Sequence, residues 1–335
     1  MSGVIARPRS PMTDALRGIQ APVMDRLERV VEEMHRMITS DLAMVEQVSA
    51  HLLGMRGKMF RPTLLLLASD LEGKPEPRAV TLAAVIELMH LATLVHDDSV
   101  DHSATRRGLP TVNSMFSHQV SVIMGDFLYS RALRALVTVR DFDVLRVITD
   151  VSSELSMGEM RQLAAIDALS FGEDEYFLLI RAKTASLLSA ACESGALCGA
   201  PRFRDALARY GDRLGMAFQI IDDILDYTED ESVTGKPSGN DLREHKVTLP
   251  LIAVLPALSA AARRRVDQLF SDDQPSDEAI QDVMGIVAEA GGIDAARRRG
   301  EQFAIEAEDA LAAVPPSPAR AALVDAIAYV TDRRW

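Results

Sequence analysis

The placement of proline most constrains what this chain of 335 residues can fold into. No proline occurs between Pro110 and Pro201, or between Pro201 and Pro237. Because proline breaks the interior of a helix, this gap allows long helices in the middle of the chain. Apolar residues recur there at helical spacing, as in SVIMGDFLYSRALRALVTV (121–139) and YFLLIRAKTASLLSAACESGALCGA (176–200). No strand or hairpin pattern is convincing, so the sequence predicts an all-α fold.

The breaks between the predicted helices are short and are not low in complexity. They are, in chain order, 71–77, 168–175, 232–240 and 271–278. Such segments are typical of connections between helices rather than of domain linkers. We therefore expect a single domain over residues 21–335, preceded by a flexible N-terminal tail over residues 1–20.

Composition excludes several classes of function. A formal net charge of -13 argues against general binding to nucleic acid or to an anionic membrane surface. The two cysteines, Cys192 and Cys198, are not spaced with histidines as metal ligands, which disfavours a disulfide scaffold or a zinc site. The N-terminus lacks the apolar core of a signal peptide, and no uncharged apolar run of roughly 18 residues occurs elsewhere. We expect a cytoplasmic protein.

The segment TLAAVIELMHLATLVHDDSVD (81–101) is apolar nearly all round until it reaches three aspartates. This pattern predicts a buried helix that ends in carboxylates. Asp101 lies four residues after Asp97 and His90 lies seven before it, so the three share one face of the helix, while Asp98 lies to one side.

The segment FQIIDDILDYTED (218–230) repeats the arrangement. Asp222 and Asp226 are again four residues apart, and Gln219 lies three residues earlier on the same side. Each of the two predicted helices therefore presents a stripe of carboxylates.

So many carboxylates cannot be buried side by side, because each loses several kcal/mol of solvation, on the order expected for buried ions, and repels its neighbours. They need cations. Oxygen ligands favour a hard ion, and magnesium binds through one or two carboxylates together with substrate phosphates. The alternative is that each acidic group is a solvated helix end. Two copies in matching apolar settings favour a diphosphate site.

Basic residues occur near both acidic segments. Taken singly, most such residues are surface charges that bury only their aliphatic stems. Together they form two cationic zones, as two anionic substrates require. These residues are Lys58 and Arg61 at an i, i+3 helical spacing, Arg106 and Arg107, Lys183 in an otherwise apolar helix, and Lys236 and Lys246 after the second acidic segment.

Eight segments in this order resemble the trans-polyprenyl diphosphate synthases, the isoprenyl diphosphate synthase family, over roughly residues 20–335. They are GKMFRP, HLATLVHDDSVD, RRGLPT, GDFLYSRAL, KTA, FQIIDDILDY, GKPSGNDL and KVTLP. The resemblance is closest to the octaprenyl, solanesyl and decaprenyl types. It implies the isoprenoid synthase fold, which is a single-domain helical bundle around a central cavity, and a homodimer.

The resemblance also implies site residues. The aspartates that would hold Mg²⁺ against the allylic diphosphate are Asp97, Asp98, Asp101, Asp222, Asp223 and Asp226. The basic residues that would contact that diphosphate are Arg106, Lys183 and Lys236. The pocket for isopentenyl diphosphate would be formed by Lys58, Arg61, His90 and Arg107. Thr184 and Gln219 would lie near the forming carbocation, and Asp241 and Lys246 in the loop that helps to close the site.

Two positions depart from the family pattern. Met59 stands where a second basic residue is usual, and we expect it to point away from a helical face shared by Lys58 and Arg61. His245 stands where glycine is usual, and it either stiffens the closing loop or lies in solvent.

The implied reaction is a prenyl transfer, in which isopentenyl diphosphate condenses with an allylic diphosphate such as farnesyl or geranyl diphosphate. A terpene cyclase is disfavoured because the second motif is DDILD and aromatic content is only 5%. A non-catalytic partner subunit is disfavoured because it would have no need for all six aspartates. We expect no nucleic-acid partner, and at most peripheral membrane contact when product is released.

The helix before the first aspartates is expected to determine the length of the product. Thr93 and Ala92, four and five residues before Asp97, are both small. In this family an aromatic ring at one of them limits the chain, so small residues favour a long-chain product, a precursor of quinone side chains. Alternatively, Met89 or Phe127 closes the tunnel early and gives a product of intermediate length. A shorter-chain synthase of the farnesyl or geranylgeranyl type is the other alternative.

Overall fold

The structure is a computed structural model that describes residues 11–55, 57–106, 108–164, 168–228 and 238–332. In this part of the chain the regular structure is helical except for two strands of two residues each, β1 (Thr105–Arg106) and β2 (Leu109–Pro110), which pair antiparallel. The predicted all-α fold is confirmed. The small hairpin was not predicted, because two-residue strands are too short to show alternation.

The helices cover most of the described chain. Their bounds are α1 Pro11–Gln20, α2 Met24–Ile38, α3 Ala43–Gly54, α4 Phe60–Ser69, α5 Arg78–Val100, α6 Val112–Met115, α7 His118–Val139, α8 Phe142–Ala164, α9 Glu173–Ile180, α10 Ser186–Leu197, α11 Arg204–Thr228, α12 Asn240–Arg243, α13 Leu249–Val254, α14 Ala260–Phe270, α15 Asp277–Glu289, α16 Gly292–Ala310 and α17 Pro318–Thr331. A π-helical turn, Arg181–Ala185, joins α9 to α10 without a break.

Helix α5 lies at the centre of the bundle and packs against α2, α4, α7 and α10. It is apolar on every face, which is the pattern of a helix surrounded by others. By length and composition alone α5 could cross a membrane, but most of its apolar window is buried inside the fold. Its last turn carries the first aspartates to one end of the bundle.

Two glycines let the helices that carry the site approach closely. A Cβ on Gly211 of α11 would lie 2.5 Å from the Leu188 carbonyl oxygen of α10. A Cβ on Gly195 of α10 would lie 2.3 Å from the Leu65 carbonyl oxygen of α4. Because real Cβ atoms do not come so close, these positions require glycine, and the packing of α10 between α4 and α11 depends on them.

The expected N-terminal tail is corrected for residues 11–20. They form helix α1, which packs against α17 and buries Ile19. The Gln20 amide donates hydrogen bonds to the Lys58 carbonyl oxygen at 2.9 Å and to the Thr63 hydroxyl at 3.2 Å. The expected boundary at residue 21 is therefore too late, and residues 1–10 lie outside the described residues.

Candidate active site

A cavity of about 570 Å³ opens where α5 and α11 end. Its wall comes from these two helices, from α8 and α9, from the π-helical turn and from residues 241–248. The structure thus brings together seven of the predicted site residues, which are Asp101, Lys183, Thr184, Gln219, Asp223, Asp241 and Lys246.

Asp97 lies half-buried in the last turns of α5. Burial, and next the charge of Glu159, raise its pKa from the ordinary value of 3.8 to about 6, although Lys183 opposes the rise. Asp101 raises the pKa further. Burial and the neighbouring carboxylates thus disfavour the ionised form of Asp97, which a bound cation would favour.

Asp98 points into the protein rather than into the cavity. It is 5% exposed and accepts hydrogen bonds from Arg106 Nε at 2.8 Å and 3.0 Å on its two oxygens. Arg106, in β1, is thereby held against the base of the first motif. Its predicted contact with the allylic diphosphate stays a prediction.

Lys183 is held by two residues of α8 that sequence reasoning missed. Its ammonium contacts Glu159 Oε1 at 2.8 Å and donates to Gln162 Oε1 at 2.8 Å. Gly158 permits this approach, because a Cβ there would lie 2.9 Å from the Ala182 Cβ. In the sequence Glu159 and Gln162 look like the solvated face of a helix, and no spacing signal marks them.

Asp223 of the second motif is buried within a hydrogen-bond network. The Tyr176 hydroxyl donates to its Oδ2 at 2.5 Å, and the Gln219 amide donates to its Oδ1 at 2.8 Å. The Thr184 hydroxyl in turn donates to Gln219 Oε1 at 2.8 Å. Burial is the largest cause that raises the pKa of Asp223, to about 7. Tyr176 was not among the predicted residues. Asp222, the neighbour of Asp223 in α11, is exposed.

Asp226 forms hydrogen bonds with the segment that follows the second motif. Its oxygens accept the backbone N–H groups of Asn240 at 3.1 Å and of Asp241 at 2.9 Å, at the start of α12. A carboxylate at this position satisfies amides that have no partner inside the helix. Burial, with the charges of Asp223 and Asp226, raises the pKa of Asp241 well above its usual range.

The same segment reaches back to the first motif. Lys246 Nζ lies 3.8 Å from Asp101 Oδ2 and 2.5 Å from Glu244 Oε2. Residues 238–248, which we call the closing loop, therefore link the second aspartate motif to the first across the cavity. The predicted placement of Asp241 and Lys246 in such a loop agrees with this geometry.

His245 does not lie in open solvent. Its ring is half-buried, with its centroid 5.6 Å from that of the Phe270 ring in α14. Its backbone φ is 55°, in the left-handed region that favours glycine. The backbone conformation at this position explains why glycine is usual there in the family pattern. His245 adopts that left-handed conformation and packs its ring on α14.

The predicted helical face shared by Lys58 and Arg61 is wrong. Helix α4 begins at Phe60, so Lys58 precedes it, and Met59 adopts a left-handed conformation with φ 52°. Met59 points inward and is 7% exposed. Lys58 instead places its ammonium 5.7 Å from the centre of the Tyr329 ring. The turn at Met59 replaces the helical turn that the i, i+3 spacing had indicated.

His90 lines a second, small cavity of about 30 Å³ beside the first motif. Gly57, Asp98 and Arg106 lie in the same wall. The loop before α4 and the face of α5 that carries His90 are therefore neighbours, as the predicted isopentenyl pocket requires. Arg61 lies half-buried in α4. Arg107 and Lys236 fall outside the described residues.

The residues expected to set product length lie in the core of the bundle. Met89 and Ala92 are each 1% exposed, and the Thr93 hydroxyl donates to the His90 carbonyl oxygen at 2.8 Å. None of the three lines the 570 Å³ cavity. Their role in product length stays a prediction.

The donor set fits a hard cation that binds together with a phosphate group. Within the described ranges, no three His, Cys, Asp or Glu side chains come close enough to hold a metal ion by themselves. Asp98, Asp223 and Asp226 already accept hydrogen bonds from protein donors. Asp97, Asp101 and the exposed Asp222 could also supply carboxylate oxygens to a cation whose remaining ligands are phosphate oxygens and water. Soft or nitrogen ligands are not part of this set.

Comparison with known proteins gives one consistent family. The sequence model of the polyprenyl synthetase family matches residues 42–287. An all-trans-nonaprenyl-diphosphate synthase (geranyl-diphosphate specific) of Rhodobacter capsulatus is 38% identical, with 96% of this chain and 98% of that protein covered. The octaprenyl diphosphate synthase of Escherichia coli (strain K12) is 34% identical, with 95% of each chain covered.

A solved structure is similar over the whole fold. It is a polyprenyl synthase from Caulobacter crescentus complexed with calcium and isoprenyl diphosphate. Its TM-score is 0.89 at 31% sequence identity, and the match covers 98% of this chain and 100% of that one. The protein so matched binds a divalent cation and a diphosphate, which are the two ligands that the carboxylates and basic residues of the cavity suit.

Proposed function

The chain belongs to the polyprenyl synthetase family, and from that premise we propose that it elongates an allylic diphosphate with isopentenyl diphosphate to a long-chain trans-polyprenyl diphosphate. One observation carries the proposal. A single cavity holds carboxylates of both aspartate motifs, two lysines and the Thr184–Gln219 pair. This set matches a substrate with a charged diphosphate at one end and a carbon centre that becomes cationic at the other.

We assign Mg²⁺ as the cation, held by Asp97, Asp101 and Asp222. When bound it neutralises charge on the allylic diphosphate and so makes that group a better leaving group. A divalent cation is general for the family, and the match to a calcium complex supports the site.

The side chains of this chain would supply the remaining charge and orientation. Lys183 and Lys246 lie in the cavity wall and would contact the diphosphate oxygens, as Lys236 and Arg106 would from neighbouring positions. For Lys183 this means exchanging Glu159 and Gln162 for the substrate. The closing loop would cover the site and exclude water, which would otherwise capture the carbocation.

The atoms and electrons of the condensation balance between the two substrates. The allylic C–O bond breaks and its electron pair leaves with diphosphate, while the double bond of isopentenyl diphosphate supplies the pair for the new C–C bond. One proton is then lost from the added unit, and we assign it to the departing diphosphate. Isopentenyl diphosphate would be bound by Lys58, Arg61, His90 and Arg107, next to the first motif.

The product is proposed to be of octaprenyl to decaprenyl length, which makes it a quinone side-chain precursor. Relatives that match nearly the whole chain are named for octaprenyl and nonaprenyl products. Small side chains at Ala92 and Thr93 on α5 also support a long product, because neither would block a prenyl chain that grows past this part of α5. Farnesyl and geranyl diphosphates are the proposed allylic primers.

A homodimer is the proposed assembly. Helices α7 and α8 expose large apolar side chains, each of them 50 to 66% exposed. They are Ile123 and Val137 on α7, and Met157, Met160 and Leu163 on α8. Large apolar side chains exposed to this extent suit a protein interface, and a second copy of the chain would cover them. The proposed location is the cytoplasm, which agrees with two buried cysteines that are free thiols.

The test is an assay of the purified chain alone with isopentenyl and farnesyl diphosphates and Mg²⁺, followed by chromatography of the dephosphorylated products. The proposal expects long prenyl alcohols, and no product when EDTA is added. Products of farnesyl or geranylgeranyl length would contradict the long-chain assignment. Activity that appears only after a second, different chain is added would instead make this chain a partner subunit.

A further inference from the structure

We propose that Gln20 is a positioning residue for the binding of isopentenyl diphosphate. Gln20, the last residue of α1, holds the turn at Met59 that precedes α4, and this turn sets the direction of Lys58. The proposal rests on the proposed function, in which Lys58 and Arg61 bind isopentenyl diphosphate. Gln20 itself lies outside residues 42–287, the stretch that matches the family model.

Gln20 contacts the turn through its side-chain amide. Its Nε2 donates to the Lys58 carbonyl oxygen at 2.9 Å and to the Thr63 hydroxyl at 3.2 Å. The Thr63 hydroxyl in turn donates to the Met59 carbonyl oxygen at 2.7 Å. Gln20 is 8% exposed and Thr63 is 0% exposed, so water does not compete for these hydrogen bonds.

The chemistry of the groups fixes the direction of each hydrogen bond. The Lys58 carbonyl oxygen can only accept, so the NH₂ end of Gln20 must face it. The Met59 carbonyl oxygen likewise takes the single proton of the Thr63 hydroxyl, whose oxygen is left to accept from Gln20. The arrangement therefore requires a donor at position 20, which neither leucine nor glutamate would supply.

The two carbonyl groups belong to the peptide units on either side of Met59. The orientation of these units defines φ and ψ of Met59, and Gln20 holds one of them while Thr63 holds the other. Met59 has φ 52° and ψ 36°, a left-handed conformation that residues other than glycine rarely adopt. Such a conformation persists only where surrounding contacts fix it. Gln20 and Thr63 supply contacts of this kind.

The turn at Met59 determines where the side chain of Lys58 lies. The Lys58 ammonium is 5.7 Å from the centre of the Tyr329 ring, and the centre of the Phe60 ring is also 5.7 Å from it. Tyr329 lies in α17, against which α1 packs. If Met59 left its left-handed conformation, the direction of Lys58 relative to α4 would change. Binding of isopentenyl diphosphate would then weaken, whereas the allylic diphosphate, which other residues bind, would be little affected.

The first experiment replaces Gln20 by Leu, which is similar in size and cannot donate a hydrogen bond. Q20L should raise the Michaelis constant for isopentenyl diphosphate about tenfold, the effect of one lost buried hydrogen bond, and leave that for farnesyl diphosphate unchanged. An unchanged constant for isopentenyl diphosphate, or an equal rise in both constants, would overturn the proposal.

Tyr210→Phe is the matched control for the loss of a buried hydrogen bond. Tyr210 is 0% exposed, and its hydroxyl donates to the Leu323 carbonyl oxygen at 2.7 Å, a bond that does not involve the turn. Y210F should lower the melting temperature and change neither Michaelis constant. A rise in the constant for isopentenyl diphosphate equal to that in Q20L would make the effect one of general destabilisation and would overturn the proposal.

Thr63→Val is a second variant that releases the same turn from α4. It removes the hydroxyl that holds the Met59 carbonyl oxygen and leaves a side chain of similar shape. T63V should also raise the Michaelis constant for isopentenyl diphosphate, which tests the proposal even if Q20L fails to fold. In the double variant the rise should be no greater than in the more affected single variant, because both changes free one turn. An unchanged constant in T63V, or effects that multiply, would overturn the proposal.

A binding measurement gives a readout that does not depend on turnover. Isopentenyl diphosphate is titrated by calorimetry into wild type, Q20L and Y210F, each loaded with Mg²⁺ and farnesyl thiodiphosphate. The dissociation constant should rise about tenfold in Q20L and stay unchanged in Y210F. Equal affinities in Q20L and wild type would overturn the proposal. A wild type that neither turns over nor binds isopentenyl diphosphate would contradict the proposed function, whereas an active wild type with any contrary result above contradicts this inference alone.

Discussion

Replacing Asp97 by Asn should make the metal-free protein more stable at neutral pH. The pKa of Asp97 is raised from 3.8 to about 6 by burial and then by Glu159, so the ionised carboxylate is disfavoured in the fold. A group whose pKa is raised by folding contributes stability that is fully present below pH 3.8 and lost as pH rises through about 6. At pH 8 the ionised Asp97 therefore lowers the free energy of unfolding by roughly 2 to 3 kcal/mol, because each unit of pKa shift corresponds to about 1.4 kcal/mol.

The assay is urea denaturation of wild type and D97N in EDTA, at a series of pH values between 4 and 8. The stability of D97N relative to wild type should rise with pH and level off above the pKa of Asp97. Asp98→Asn is the matched control, because Asp98 already has a cationic partner in Arg106. That change should destabilise the protein at neutral pH, since it leaves Arg106 without its carboxylate. If D97N were less stable than wild type at pH 8, the claim that the fold disfavours the ionised form of Asp97 would be refuted.

Four further predictions concern turnover, substrates, product and assembly. Asp222→Ala should lower turnover by several orders of magnitude, on the order expected when metal-assisted catalysis is lost, while the melting temperature stays nearly unchanged. Near-normal turnover of this variant at saturating Mg²⁺ would contradict the prediction. Arg61→Ala should raise the Michaelis constant for isopentenyl diphosphate far more than that for farnesyl diphosphate, and equal effects would argue against two pockets. Ala92→Phe should shorten the prenyl alcohols seen by chromatography to roughly three or four isoprene units, because the ring fills the path, and an unchanged profile would place the path elsewhere. Met160→Glu should shift the protein from dimer to monomer in sedimentation, and an unchanged dimer would exclude the α7–α8 face.

The fold and part of the cavity wall were accessible from the sequence because the patterns are local. A proline-free middle and an apolar segment with carboxylates at its end predict α5 wherever they occur. The four-residue spacing of Asp222 and Asp226 likewise indicates a helix, and both residues lie in α11. The same kind of local pattern also gave a wrong prediction at one position. The left-handed turn at Met59 interrupts an i, i+3 spacing that looked helical, and nothing in the spacing indicates that turn.

Residues that act across the fold carried no such signal. Tyr176 lies 47 residues before Asp223, and only the packing of α9 against α11 brings the two together. Glu159 reaches Lys183 because Gly158 lets α8 approach the π-helical turn, which depends on tertiary structure alone. The packing of α1 on α17 was missed for the same reason, since a short helix near the N-terminus has no partner in the sequence itself.

The central claim is that carboxylates of both aspartate motifs hold divalent cations against one allylic diphosphate. A crystal structure of the protein with Mg²⁺ and farnesyl thiodiphosphate tests it most directly. We predict metal ions that contact Asp97 or Asp101 on one side and Asp222 on the other, with the diphosphate between them and Lys183 turned from Glu159 toward it. A diphosphate bound in the cavity with metal contacts to only one motif, or with none, would contradict the claim.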